Sequence, residues 1–600
     1  MSLPKRETVL QELTWDTSTL FKSEEEFNKN VEQLQQLSYS FALKFTGKLT
    51  DPKIIGVALN ELSDLSKKRE WLEHYAFLNQ SVDMSSANAN TRLHKFENIS
   101  AHLSAELSFF DSEILDLSED DLTQLAISLP DYSAVFRHYL NNKKQRLAPN
   151  IEKTLAVLAP TFYSPENIYT QMRSSDMQFE SFSINGKVYP MSFVLYENFY
   201  QYHENFEIRH AAFASFSKTL DQYKNTLAAI YYTEVSKQKT FATLRGYDSV
   251  IDYLLAEQEI PRNIYEQQID TIINKFGPVM QKYVKLIKKE RNIKKLSFAD
   301  LQIDLDPEFS PEIKLSDAPN YISDAIKILG TGYHDMIMRA FSERWVDFPQ
   351  NKGKETGGFE TTPYDNHPFI LMSWSDQFAD LYTLVHELGH AGQALLTAAN
   401  NPILTCNPST YIVESPSTFN ELLLTHSLLQ KNNDPRMQRF AYTKMLTNTY
   451  YHNFVTHLLE AAYQREVYHL IDQGESFDGD RLSAIKKEVL QQFWGDAVTI
   501  DDNAALTWMR QSHYYMGLYS YTYSAGLTVA TQMYLTIKND ASKVSAWLDY
   551  LKLGDQKAPL DATKVAGIDM TSTKPLEQTI KFLDDTVNKI IHLTEKLNTH

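Results

Sequence analysis

The order of hydrophobic and polar positions along the chain predicts a protein made mostly of helices. Apolar residues recur at helical spacing through most of the sequence. One such run begins at Ser23 and Glu26, a capping-box pattern in which each side chain satisfies a backbone amide of the first turn. Further helical runs cover about 52–80, 95–115 and the stretch after Ser118. We therefore expect the first third of the chain to be helical.

Two interruptions carry a β-strand pattern instead. Asn185 and Gly186 stand between β-prone residues, which is the strongest short-range signal for a hairpin. Residues 340–375 contain two strand-like runs around a turn, just before a predicted helix. Because the pattern changes near residue 200, we predict an N-terminal helical lobe over 1–200 and a second domain over 201–600.

Composition agrees with a helical globular protein. The chain has only 19 Gly and 21 Pro in 600 residues, so few residues break helices. Its 43% hydrophobic and 22% charged residues match ordinary globular usage and exclude disordered and fibrous classes. The 76 acidic and 58 basic residues give a net charge of −18, which repels phosphate backbones. We expect no nucleic-acid partner.

Cysteine content and hydropathy indicate a cytoplasmic protein. Cys406 is the single cysteine, so no internal disulfide forms and a reducing compartment is expected. The first 17 residues contain no continuous apolar stretch and do not resemble a secretory signal. No window approaches the roughly 18 apolar residues of a membrane span. We therefore expect a cytoplasmic location and no membrane partner.

The helix predicted from Asp376 to about residue 399 contains a metal-binding pattern, His-Glu-Leu-Gly-His. Residues four apart lie on one face of a helix, so His386 and His390 can bind one metal ion. Glu387 lies about 100° round the helix, where a general base for a metal-activated water is needed. The surrounding positions are mostly apolar, and two histidines in a buried helix need partners.

The spacing leaves the third metal ligand open. In the metzincin pattern the places held here by Gln393 and Leu396 are glycine and histidine, so that class is excluded. A glutamate on a later helix is the usual alternative. Glu414 and Glu421 are both candidates, seven residues apart on one helix face. One can bind the metal while the other orients a ligand.

Two further segments contain residues that are suited to contact a substrate. The stretch from His513 to Tyr523 contains five tyrosines, whose hydroxyls are suitable donors to a developing oxyanion. An aromatic core segment is the alternative. The glycines of Gly357–Phe359 allow a close backbone approach, so an extended peptide can add to this strand. An ordinary turn is the alternative there.

Together these motifs resemble the oligoendopeptidase F family, within the thimet-oligopeptidase-like zinc metallopeptidases. The resemblance spans nearly the whole chain and is close at Arg344–Asp347, Phe378–His390, Glu414–Ser417, His513–Tyr515 and Tyr523–Gly526. It implies a mainly α, hollow, two-lobed fold with a small β-sheet beside the metal-binding helix. It also implies a deep substrate channel that admits short unstructured peptides, and a catalytic domain over 201–600.

The resemblance implies one Zn²⁺ per chain. Its glutamate motif matches at Glu414, which favours His386, His390 and Glu414 as ligands and leaves Glu421 to orient a ligand. Glu387 is then the general base that takes a proton from a zinc-activated water.

The resemblance also assigns the substrate contacts. His513 and a tyrosine are expected to hydrogen-bond the tetrahedral intermediate, with Tyr521 favoured over Tyr519 and Tyr523, which are then expected to contact substrate. The strand residues Gly357, Gly358 and Phe359 are expected to bind the substrate backbone.

The function expected from these features is hydrolysis of internal bonds in short unstructured peptides. The first alternative is an exopeptidase, which requires a cationic group for the terminal carboxylate of its substrate. The second is a peptide-binding protein that has lost catalysis, against which the intact Glu387 argues. The expected partners are short peptide substrates, and the sequence leaves the oligomeric state open.

Overall fold

The protein is mainly helical, as predicted. We describe it from a computed structural model that covers residues 3–355 and 357–599. Thr356, which precedes the predicted glycine-containing strand, lies outside the described residues. No helix among the described residues combines the length and apolar character needed to span a bilayer.

The N-terminal part of the chain is built from helices. They are α1 (Glu24–Phe45), α2 (Pro52–Ser81), α3 (Ala87–Leu107), α4 (Phe109–Asp116), α5 (Glu119–Ser128), α6 (Ser133–Lys143), α7 (Pro149–Phe162), α8 (Ser164–Gln171) and, after a hairpin, α9 (Phe193–Asn198). The hydroxyl of Ser23 accepts from the Glu26 amide, which starts α1. The Glu26 carboxylate, however, accepts from the Lys22 amide, so the predicted box is only half formed. The reciprocal arrangement occurs instead at Ser118 and Asp121, before α5.

The predicted hairpin is confirmed. Strands β1 (Phe182–Ile184) and β2 (Lys187–Tyr189) pair antiparallel. Asn185 and Gly186 form the turn with φ angles of 49° and 77°, the left-handed values that a two-residue hairpin turn of this kind requires.

The rest of the chain holds the long helices and a second sheet. The helices that precede this second sheet in the chain are α10 (Phe206–Leu244), α11 (Val250–Glu257), α12 (Arg262–Thr271), α13 (Gly277–Glu290), α14 (Ala318–Ile326) and α15 (Thr331–Ser342). The helices after it are α16 (Phe378–Ala398), α17 (Ser415–Lys431), α18 (Pro435–Lys444), α19 (His457–Asp472), α20 (Gly479–Trp494), α21 (Asp502–Ala505), α22 (Thr522–Asn539), α23 (Val544–Leu551), α24 (Pro559–Val565) and α25 (Lys574–Asn598).

The second sheet lies directly before α16 in the chain. It has three strands, β3 (Val346–Asp347), β4 (Phe359–Thr361) and β5 (Phe369–Leu371), in the order β3-β5-β4. The predicted pair of strands around a turn corresponds to β4 and β5, which pair antiparallel, while β3 pairs parallel with β5. This order places β4 at an edge of the sheet.

Two hydrophobic cores meet at this sheet. The smaller core runs from Trp15 to Phe136 and also takes in Phe369 and Leu371 of β5. The larger core runs from Tyr169 to the C-terminal helix and contains Ile370. Because successive residues of a strand point to opposite faces, β5 joins the two cores. The lobe boundary near residue 200 stays a prediction. The change from the smaller to the larger core comes earlier in the chain, between Phe136 and Tyr169.

Candidate active site

Helix α16 carries both histidines of the metal-binding pattern. At its start the Asp380 carboxylate accepts from the backbone amide of Gln377, while the Asp380 amide donates to the main-chain carbonyl of Gln377. Leu384 and Leu388 are completely buried on its apolar side. The rings of His386 and His390, one turn apart, have centroids separated by 5.0 Å. The two imidazoles therefore share a face, as the spacing predicts.

Glu414 lies opposite these two histidines, at the residue that precedes α17. One carboxylate oxygen of Glu414 is 3.4 Å from Nε2 of His386 and 3.3 Å from Nε2 of His390. Charge-assisted hydrogen bonds are about 2.7–2.9 Å long. Donors bound tetrahedrally to one zinc ion at about 2.0–2.1 Å are instead about 3.3–3.4 Å apart. The three side chains, here called the ligand triad, therefore have the spacing and the donor types of a zinc site.

Two glycines allow the backbones to come close enough to form the triad. A Cβ atom on Gly389 would lie 2.5 Å from the carbonyl oxygen of Pro416 and 2.6 Å from Cα of Ser417. A Cβ atom on Gly526, in α22, would lie 2.9 Å from Cβ of Glu414. Helices α16 and α22 therefore both pack against the start of α17, and Glu414 is held between them.

The charges of the triad stabilise one another. Burial by itself would lower the pKa of His386, but the neighbouring carboxylates of Glu414 and Glu421 outweigh burial and hold that pKa well above its ordinary value. Burial would raise the pKa of Glu414, but the charge of His390 and then the close approach of both imidazoles hold it well below its ordinary value. Glu414 is therefore a carboxylate, as a metal ligand must be.

Glu421 contacts the other side of His386. Its carboxylate is 2.6 Å from Nδ1 of His386, and its second oxygen accepts a hydrogen bond from Thr449. A carboxylate on Nδ1 fixes the ring and leaves Nε2 free to bind a metal. The structure thus separates the two glutamates: Glu414 faces Nε2, and Glu421 faces Nδ1.

Glu387 lies beside the triad and below the edge strand. It is 7% exposed. Burial raises the pKa of its carboxyl, while the charges of His386 and His390 oppose the rise. A Cβ atom on Gly358 would lie 3.6 Å from Oε1 of Glu387 and 3.0 Å from the methyl group of Thr383. The backbone just before β4 therefore passes directly over the Glu387 carboxylate.

Aromatic and imidazole side chains cover another side of the site. The ring of Tyr523 is 5.2 Å from that of Tyr519 and 5.8 Å from that of His513, measured between centroids. His457 stacks on Tyr523 at 4.0 Å. Glu460 accepts from Nδ1 of His513 at 3.2 Å and from Nδ1 of His457 at 2.8 Å. A single buried carboxylate therefore orients two histidines of the site.

Tyr519 and Tyr523 are close enough to the triad to be affected by its charge. Burial and then the charge of Glu414 raise the pKa of Tyr519 to about 12. The pKa of Tyr523 is also raised, by burial first and by Tyr519 and Glu414 after it. Both phenols are therefore protonated at neutral pH and can donate hydrogen bonds.

Tyr521, which the sequence analysis favoured, does not join them. Its side chain is completely buried, and its hydroxyl donates to Oε1 of Gln258 at 2.6 Å. Its ring packs edge-on against Tyr265 at 5.0 Å and lies 5.7 Å from Tyr411. The preference for Tyr521 over its two neighbours is therefore corrected: its hydroxyl is used in the core, away from the triad.

Successive residues of strand β4 point to opposite faces of the sheet. Phe359 packs its ring against Phe77 at 5.3 Å and Trp15 at 6.2 Å, in the smaller core. Its side chain therefore points away from the site, so Phe359 can contact a substrate only through its backbone. Glu360, the next residue, faces the site instead, because side chains alternate along a strand. Burial raises the pKa of Glu360 to about 7.

Sequence reasoning missed part of this site. His457 and Glu460 were not predicted, although their separation by three residues places them on one helix face. His452, in the π-helical segment Met445–Thr456, was also missed; its Nε2 is 2.9 Å from Nε2 of His457. Glu360 was recoverable from the alternation in β4. Of the residues predicted from the sequence, Glu387, Glu421, His513, Tyr519, Tyr523 and the backbone of Gly358 lie around the triad. Tyr521 and the side chain of Phe359 do not, and a Cβ atom on Gly357 would meet no atom within 4 Å.

The family model described as Peptidase family M3 matches residues 199–582, and one described as Oligopeptidase F matches residues 113–179. The chain belongs to peptidase family M3. Both matches confirm the resemblance to oligoendopeptidase F drawn from the sequence.

Curated relatives of this M3 peptidase match it along its whole length. Oligopeptidase PepF of Bacillus subtilis is 28% identical over 99% of this chain and 89% of the relative. Group B oligopeptidase PepB of Streptococcus agalactiae is 28% identical over 98% of each chain.

Solved structures share the fold. A protein from Chlamydophila abortus superposes with a TM-score of 0.84 at 21% identity, covering 99% of this chain and 100% of the other. Oligoendopeptidase-F from Enterococcus faecium superposes with a TM-score of 0.74 at 21% identity, covering 96% and 99%. The protein is thus a peptidase with the helical fold of family M3.

Proposed function

We propose that this M3 peptidase is a zinc-dependent endopeptidase that cleaves internal bonds of short unstructured peptides. The observation that carries the proposal is the ligand triad: Nε2 of His386 and Nε2 of His390 lie 3.4 and 3.3 Å from the same carboxylate oxygen of Glu414, beside Glu387. These residues would hold one zinc ion per chain. Their donor atoms, two imidazole nitrogens and a carboxylate oxygen, are those of catalytic zinc sites.

The residues around the triad have distinct roles in this proposal. When bound, zinc lowers the pKa of a water molecule and polarises the scissile carbonyl. Glu387 accepts a proton from the attacking water on its carboxylate and later donates a proton to the leaving amine. The raised pKa of Glu387 makes its carboxylate a stronger base toward the proton of the attacking water. Glu421 holds the ring of His386 in the orientation that presents Nε2.

The oxyanion is stabilised by hydroxyl and imidazole donors of this chain. We assign Tyr523 and Tyr519 to this role rather than Tyr521, because both phenols lie close enough to the triad for the charge of Glu414 to act on them. His513 lies beside both, and the hydrogen bond from its Nδ1 to Glu460 fixes the ring. Donors already in place at the position where charge develops stabilise the transition state more than the ground state.

An extended substrate can pair with the free edge of β4. The strand bonds to β5 on one side only within the described sheet, and the preceding Gly358 lies over Glu387. A peptide added there would place its backbone next to the general base. Pairing uses only main-chain groups, which fits a peptidase that acts on short peptides of varied sequence. We retain 1–200 as the N-terminal lobe and 201–600 as the catalytic domain in this proposal.

The single cysteine does not offer a competing covalent route. Cys406 is buried, and burial raises the pKa of its thiol to about 12, so it is not a nucleophile at neutral pH. As the single cysteine it also fits a reducing compartment, and we propose that the enzyme acts on peptides in the cytoplasm.

The proposal is tested by digesting a mixture of peptides and identifying the products by mass spectrometry, with and without a chelator. We expect cuts at internal bonds that stop when zinc is removed and resume when it is restored. Products that shorten stepwise from one end would show an exopeptidase instead.

A second comparison tests the substrate class. One cleavable segment is presented as a free peptide and as an exposed loop of a stable host protein. We expect only the free peptide to be cut, because a folded host must first unfold at a cost of about 5–15 kcal/mol. Equal rates would contradict the restriction to short unstructured peptides.

A further inference from the structure

A cavity of about 370 Å³ adjoins the candidate active site and has no part in the mechanism above. His452, His457 and His513 form the wall that it shares with the site. Aromatic side chains, including Tyr202 and Trp494, line other parts of it. Its volume is near the lower end of the range for ligand pockets, so it accommodates one residue of a peptide rather than a long segment.

Lys486, on α20, also lines this cavity, and its buried ammonium lies 5.7 Å from the centroid of the Tyr463 ring, a cation–π contact. It is only 5% exposed. Its ammonium group makes no hydrogen bond or ion pair with any residue that the structure describes. Burial lowers its pKa from 10.5 to about 8. Lysine is almost never buried unless it is paired, because removing a charge from water without compensation is costly.

The other charged groups that line the cavity are already paired. Arg510 binds one oxygen of Glu197 through two guanidinium nitrogens at 3.0 and 3.1 Å. Glu460 accepts hydrogen bonds from both His457 and His513 on one carboxylate oxygen. Its other oxygen, Oε1, is buried without a hydrogen-bond partner, and the charge of Glu460 acts on the pKa of Lys486 without making an ion pair. Among the described residues of the lining, Lys486 is therefore the charged residue whose charged group forms no ion pair.

The cavity begins close to the bond that would be cleaved. His452 is near enough to His386 and Glu414 for their charges to act on its pKa. His457, on the same wall, stacks on Tyr523. A residue of the substrate a short distance from the scissile bond can therefore enter this cavity while its backbone lies in the site.

We propose that Lys486 binds a carboxylate of the peptide substrate in this cavity and so determines which peptides are preferred. The inference rests on the proposed peptidase site, since the cavity shares His457 and His513 with it. Two sources supply the same chemistry: the side chain of Asp or Glu, or the C-terminal carboxylate of a short peptide. Either would give the buried ammonium its missing counter-charge.

The experiment compares matched peptides and two neighbouring lysines. Fluorogenic peptides of one sequence carry either Glu or Gln at each position near the cleaved bond, and end in either a free carboxylate or an amide. Lys486→Met removes the charge and keeps the length of the side chain. Lys487→Met is the matched control, because Lys487 is partly exposed and pairs with Asp502.

We expect the wild-type enzyme to prefer a peptide with a carboxylate at one place. Lys486→Met should raise the KM of that peptide about 10- to 100-fold, the worth of a hydrogen bond to a charged group. It should leave the KM of the neutral peptide and all kcat values unchanged, as should Lys487→Met for every peptide. Lys486→Arg should restore part of the preference. The peptide pair that shows the effect identifies the source: Glu against Gln, or acid against amide.

Two results would overturn the inference. One is a wild-type enzyme that treats every Glu/Gln and acid/amide pair alike, which needs no variant to observe. The other is an equal loss of kcat/KM on all peptides in Lys486→Met, which would mean a purely structural role. Failure of the proposed peptidase function looks different: the wild-type enzyme would then not cleave the neutral peptide in a zinc-dependent way.

Discussion

Replacing Gly389 by alanine adds one methyl group where two helices of the site meet. Gly389 lies in α16 between His386 and His390, and the added Cβ would be 2.5 Å from the carbonyl oxygen of Pro416. The atoms that it meets are backbone atoms, which cannot rotate away as a side chain can. Helices α16 and α17 must therefore separate in Gly389→Ala, and Glu414 moves with the start of α17.

The size of this movement follows from the contact distances. Ordinary van der Waals contact begins near 3.4 Å, so the backbones must part by about 0.9 Å. A zinc site tolerates changes of only about 0.2 Å in its ligand distances. Overpacking costs about 1–3 kcal/mol of folding stability, of which the better helix propensity of alanine recovers about 1 kcal/mol. We expect a folded but less stable protein with kcat/KM about 100-fold lower.

Gly332→Ala is the matched control. Gly332 lies in α15, and a Cβ atom there would meet nothing within 4 Å. This variant should be as stable as the wild type or up to about 1 kcal/mol more stable, with unchanged zinc binding. Zinc content by elemental analysis, kcat/KM and a thermal melt are measured on all three proteins. A Gly389→Ala protein with full zinc and wild-type turnover would refute the view that close packing of α16 on α17 positions Glu414.

Further predictions concern single side chains of the site. Tyr523→Phe should lower kcat about 10²–10³-fold with little change in KM, whereas Tyr521→Phe should leave kcat unchanged in the same kinetic assay. In a zinc titration, Glu421→Gln should weaken binding about 10–100-fold and Glu414→Gln should weaken it further, because only the second loses a ligand. Lys486→Met should raise the free energy of unfolding at pH 7 by up to about 3 kcal/mol, since the folded state lowers the Lys486 pKa from 10.5 to about 8. Below pH 8 the lysine is protonated in both the folded and the unfolded state, so the wild type bears the full cost of burying the charge. That cost, and with it the stability difference between the two proteins, disappears as the pH rises from 8 to 10.5. Denaturant unfolding at pH 7 and pH 10 checks this difference.

The sequence predicted those parts of the site that lie within one regular element. The spacing of His386 and His390 sets their shared face once α16 is recognised as a helix. The turn at Asn185 and Gly186 was likewise predictable, because it depends on two adjacent residues with left-handed backbone angles.

The error at Tyr521 has a definite physical reason. Helix α22 begins at Thr522, so the cluster of tyrosines spans the start of a helix. Tyr519 and Tyr523 are four residues apart and reach the same side, while Tyr521, between them, points to the core. Unless the first residue of the helix is known, the sequence does not distinguish the three tyrosines.

Long-range pairing was not predictable from local pattern. Strand β3 pairs parallel with β5, more than twenty residues later in the chain. Glu460 meets His513 across 53 residues. Such contacts are set by packing of whole helices, which a single sequence shows only through a resemblance to a known family.

The central claim, that the ligand triad holds a catalytic zinc with Glu387 as the base, is tested most directly by one paired measurement. Zinc content and peptide turnover are determined on the same preparations of the wild type and Glu387→Gln. The account predicts one zinc per chain in both proteins and turnover in the wild type alone. Wild-type protein without stoichiometric zinc that still cleaves peptides, or a Glu387→Gln variant that cleaves at the wild-type rate, would contradict it.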